Sequence, residues 1–78
     1  MTWSIRNKLQ DVRSGLDRRD PLEIRMAALE LGARAGGNPE IGPLLDLTAD
    51  FSTVDVLTSA SAFLLSIELD RLDALFRE

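Results

Sequence analysis

The chain predicts an all-α fold, three long helices plus a short fourth element forming a small helical bundle. Three observations predict it. Apolar residues recur at spacings of three and four, no segment alternates with a period of two over a convincing length, and helix start and stop signals punctuate the periodic stretches. Seventy-eight residues give one domain, residues 1–78, because a chain this short buries only about 60% of its unfolded surface.

The first helix is predicted over Trp3 to Leu16. Ile5, Leu9, Val12 and Leu16 form a single apolar stripe among Arg6, Lys8, Gln10, Asp11 and Arg13, with Thr2 or Ser4 as cap and Gly15 weakening the end. Asp17-Arg18-Arg19-Asp20 makes a charged connection. Asp20 then suits an N-cap, Pro21 the first helical position and Glu23 the positive end of the helix dipole, so a second helix starts at Pro21 and runs to about Ala35. This helix is two-sided: Leu22, Met26, Leu29 and Ala33 lie on one side and Ile24, Ala28, Leu31 and Ala35 on the other. That pattern predicts a central helix sandwiched between layers, with Glu30 and Arg34 paired along its edge. Gly36-Gly37-Asn38-Pro39 stops it, the glycines permitting a left-handed cap.

Residues 38–51 are either a short helix opened by Gly42-Pro43 through Leu44, Leu45, Leu47 and Ala49, or an ordered loop; in both cases the leucines turn inward. Ser52 and Asp55 resemble a capping box, placing the start of the last helix at Thr53. From there to Arg77 it would extend about 40 Å, too long for so small a domain to enclose. Val54, Leu57, Leu64, Leu65, Leu69, Leu72, Leu75 and Phe76 gather on one broad face. Val56, Ala60, Phe63, Ile67 and Ala74 gather on a nearly opposite one. A helix with two apolar sides needs two neighbours, and this second stripe is the candidate partner-binding surface. Trp3 either anchors the partner too or caps the core from the chain end.

Composition narrows the chemistry. Without histidine the chain lacks the usual general base and the commonest transition-metal ligand, and without cysteine and tyrosine it lacks further nucleophiles and acids, which predicts no enzyme activity, no cofactor and no small-molecule substrate. A Ser4–Lys8 pair has helical spacing, but nothing near Lys8 would lower its pKa. Asp70 with Asp73, or Asp46 with Asp50, could offer carboxylates to Mg²⁺; pairs alone make a poor hard-cation site. There is no phosphate-binding glycine loop. Thirteen acidic residues against nine basic ones oppose nucleic-acid binding, and residues 38–51 lack the Arg, Asn or Gln of a recognition helix. The charge is polarised: residues 1–25 hold six basic and four acidic side chains, residues 26–78 three and nine. The longest apolar runs, Ala62 to Leu65 among them, are four residues, and the amino-terminal residues lack a signal-peptide stretch, so the expectation is a soluble cytoplasmic protein without membrane contact. Glu68 falls within the broad apolar face. It either meets Arg25 or Arg13, marks an interface rim, or reaches water at the edge.

Arg25-Met26-Ala27-Ala28-Leu29-Glu30-Leu31-Gly32-Ala33-Arg34 and Asp55-Val56-Leu57-Thr58-Ser59-Ala60-Ser61-Ala62-Phe63-Leu64 together resemble a pattern in small helical proteins of actinobacterial phages, an Ala-Leu-x-Leu-Ala helix preceding an Ala-x-Ala-Phe-Leu segment. The resemblance implies a phage accessory or inhibitor protein that binds a host or phage protein, and carries over no catalytic residues. Asp70-Arg71-Leu72-Asp73-Ala74-Leu75-Phe76 departs from the pattern. The resulting expectation is a non-enzymatic protein–protein interaction module whose partner is another protein or itself as a homodimer, with a homo-oligomeric structural subunit as the alternative and a small metal-dependent enzyme as a remote third.

Overall fold

The computed structural model of the chain describes residues 3–49, 51 and 57–77. It is all-α: helices α1 (Ile5–Asp17), α2 (Pro21–Ala35), α3 (Gly42–Thr48) and α4 (Ser59–Leu75), with a 3-10 turn at Pro39–Ile41 leading into α3. Among the described residues there is no strand, and no helix is long and apolar enough to cross a membrane.

The caps explain the boundaries. Ser4 Oγ accepts from the Asn7 amide at 3.1 Å, giving α1 its start; Thr2 lies outside the described residues. Arg19 makes the reversal after α1 with a left-handed φ of 52°, and its guanidinium donates to the Leu16 carbonyl at 2.8 Å. Asp20 Oδ1 then accepts from the Glu23 amide at 3.2 Å, with Pro21 as the first helical residue. At the other end of α2 the expected left-handed glycine is absent: Gly36 has φ −62°, and no described glycine has a positive φ. Asn38 ends the helix instead. Its amide donates to the Ala35 carbonyl at 2.9 Å while its side chain accepts from the Glu40 amide at 2.9 Å, starting the next turn.

Residues 38–51 take the short-helix alternative. Leu44 is fully buried, Leu45 and Leu47 only half-buried, and the buried Thr48 hydroxyl is satisfied by the Leu44 carbonyl at 3.0 Å. The last helix starts later than the sequence suggests. Leu57 and Thr58 are non-helical, and Thr58 caps α4 by accepting from the Ser61 amide at 3.1 Å. The Ser52–Asp55 signal lies outside the described residues. With 17 residues α4 is about 25 Å long, so it fits inside a molecule whose longest dimension is 33 Å and does not project.

The core joins Leu9, Val12 and Leu16 of α1, Ile24, Ala27 and Leu31 of α2, Ile41 and Leu44, Phe51, and Ala62, Leu65, Leu69 and Leu72 of α4. Each fully buried leucine or isoleucine contributes roughly 1.5–3 kcal/mol through removal of apolar surface from water. Helices α2 and α4 both pack on α1 and on α3, and both contribute side chains to this core. Consequently α2 is not sandwiched. Its Ile24, Ala27, Ala28 and Leu31 are buried, but Leu22, Met26 and Leu29 point to solvent, Met26 with 62% of its surface exposed.

Candidate interaction surface

On α4 the stripe facing the core is centred on Leu65, Leu69 and Leu72, leaving the opposite side without a neighbour among the described residues. Ala60, Phe63, Ile67 and Ala74 all lie there, Phe63 66% and Ile67 50% exposed. Val56, the fifth predicted member, lies outside the described residues. Leu64 and Leu75, expected in the core, join the outer face instead. They sit about 100° around the helix from the buried stripe, beyond the arc that a single layer of neighbours can cover. The outer face is thereby wider than predicted and continuous from Ala60 to Leu75.

One arginine borders it and another lies within it. On one side Arg13 of α1 reaches across to Asp70 Oδ1 and Asp73 Oδ2, both at 2.9 Å. Partial burial works against the charge on Arg13, but the hydrogen bonds it donates to Asp73 and Asp70 more than offset it and raise its pKa. Within the face Arg71, one turn from both Ile67 and Ala74, donates to Glu68, through Nε at 3.1 and 3.2 Å, and to Glu40 Oε1 at 2.9 Å. Those carboxylates, Glu68 first, raise the Arg71 pKa further above its already basic value. Glu68, 12% exposed at its side chain, is thus paired with neither Arg25 nor Arg13. Its partner was legible as a basic residue one helical turn on, at i+3. In each cluster one guanidinium serves two carboxylates, so each cluster keeps one negative charge uncompensated by its arginine.

Trp3 packs against the core as a cap at the chain end. Its Nε1 donates to Glu30 Oε2 at 2.9 Å, and Arg34 stacks over its ring at 5.3 Å. The structure therefore does not bring Trp3 together with the α4 face. Glu30 also meets Lys8 at 3.1 Å and Arg34 at 3.8 Å, the latter being the expected edge pair. Lys8 and Trp3, in that order, hold the Glu30 carboxyl below its usual range.

The residues behind the two catalytic alternatives pair with other side chains. Lys8 is turned to Asp11 and Glu30, whose hydrogen bonds raise its pKa, the opposite of what an activated amine needs. Asp70 and Asp73 converge on Arg13, and among the described residues no three His, Cys, Asp or Glu side chains are grouped to hold a metal. Arg18 pairs with Glu23 and Arg19 with a backbone carbonyl, so the charged turn is spent internally.

Sequence reasoning missed the outer face of α2. Leu22, Met26, Leu29 and Ala33 form an exposed stripe that runs into a groove of about 340 Å³ against α3, bounded by Arg25, Leu29, Ala33, Leu45 and Ala49. The stripe itself was visible; which of the two sides of α2 would lack a neighbour was not.

Together these features define a small helical bundle in which, among the described residues, α2 and α4 each leave an apolar face exposed. Comparison with protein-family models, curated proteins and solved structures found no match to this chain.

Proposed function

We propose that this protein is a non-enzymatic protein–protein interaction module whose binding surface is the outer face of α4. The supporting observation is the exposed continuity of Ala60, Phe63, Leu64, Ile67, Ala74 and Leu75 on a helix whose other side already supplies the core. Monomeric proteins seldom leave an apolar patch above a few hundred Å² without a use for it. Phe63 is the natural anchor, because aromatic side chains dominate binding energy when they fill a partner's pocket. The phage-like text in α2 and α4 supports placing it among phage accessory or inhibitor proteins acting on a host or phage protein in the cytoplasm.

The test is capture of a partner from the native cells with the wild-type chain and with Phe63→Asp. The expected outcome is that a protein retained by the wild type is lost with the variant while circular dichroism stays unchanged. Equal retention by both forms would remove α4 from the binding surface.

The alternative, a homo-oligomeric subunit, is favoured by a separate observation: the second exposed stripe on α2, which a module with one partner does not need.

A further inference from the structure

We draw no further inference here: the strongest candidate, the acid-rimmed groove between α1 and α2 that opens onto Leu22 and Met26, carries nothing, because its carboxylates Asp11, Glu23 and Glu30 are already paired with Lys8, Arg18 and Arg34 and nothing in the structure shows what covers it.

Discussion

Gly15 of α1 lies so close to Ile24 of α2 that a methyl group added to it would stand 2.9 Å from Ile24 Cγ1 and 3.1 Å from the Ile24 backbone nitrogen. A glycine that reads as a weak spot in a helix is thus the place where two helices touch. Replacing it should cost stability despite the gain in helix propensity of about 1 kcal/mol that alanine brings. Gly15→Val adds bulk against backbone that cannot move aside and is expected to lower unfolding free energy by about 2 kcal/mol, within the range for overpacking. Urea denaturation followed by circular dichroism measures it. A valine variant as stable as the wild type would show that the helices part easily there.

Glu30 makes the acid side of the stability profile predictable. Its folded pKa is depressed by Lys8 and Trp3, so its contribution is present above the ordinary carboxylate pKa of about 4.3 and lost as the pH falls through the lower folded value. Lys8 is raised by Asp11 and Glu30, so its contribution is complete below about pH 10.4 and lost as the pH climbs through the higher folded value. The sole tryptophan reports the first event, because its indole N–H donates to the titrating carboxylate. The indole proton resonance of Trp3 should shift on acidification with a midpoint below 4.3, and Glu30→Gln should abolish that shift. An indole resonance that titrates identically in the variant would mean the pair does not form.

How much of this was legible turns on what periodicity encodes. Asp20, Pro21 and Glu23 announced the start of α2 because the cap, the missing N–H and the dipole are local physics. The start of α4 was misplaced because Ser52 and Asp55 imitate a capping box, whereas the cap in the structure is Thr58, followed at i+3 by Ser61 instead of an acid. Ala60, Phe63, Ile67 and Ala74 were readable as one face, and Leu64 and Leu75 were assigned to the wrong one. The angle of a residue around its helix follows from the sequence; the number of neighbours available to cover that angle is a property of the assembled bundle. For the same reason the bare side of α2 passed for a buried layer.

Arg13 joins α1 to α4 over a gap of nearly sixty residues and holds Asp70 and Asp73 beside the exposed face. About a third of its side chain is exposed, at 35%, so screening by water limits the value of the pair. Arg13→Met, which keeps most of the apolar stem, is expected to destabilise by under about 1 kcal/mol, and a double-mutant cycle with Asp73→Asn should return a coupling in the same range that shrinks as salt is added. A zero coupling at low ionic strength would reduce the bridge to a crystallographic-style contact without energetic content.

Leu64 and Leu69 supply an internal control for the orientation of α4. They are the same residue type on one helix, five positions apart, yet Leu69 is fully buried in the core and Leu64 faces solvent. Leu69→Ala removes buried methyl groups and leaves a cavity lined by neighbours from other helices, at a cost of about 2–5 kcal/mol. For a domain of this size that is much of the total stability, so the variant should be largely unfolded in moderate urea. Leu64→Ala removes surface that water already reaches, and alanine is the better helix former, so the change should stay within about 0.5 kcal/mol. Thermal melts of both variants in dilute solution compare the two. Equal losses at both positions would require α4 to be rotated so that Leu64 enters the core, which would carry Phe63 and Ile67 inward with it and close the exposed apolar face.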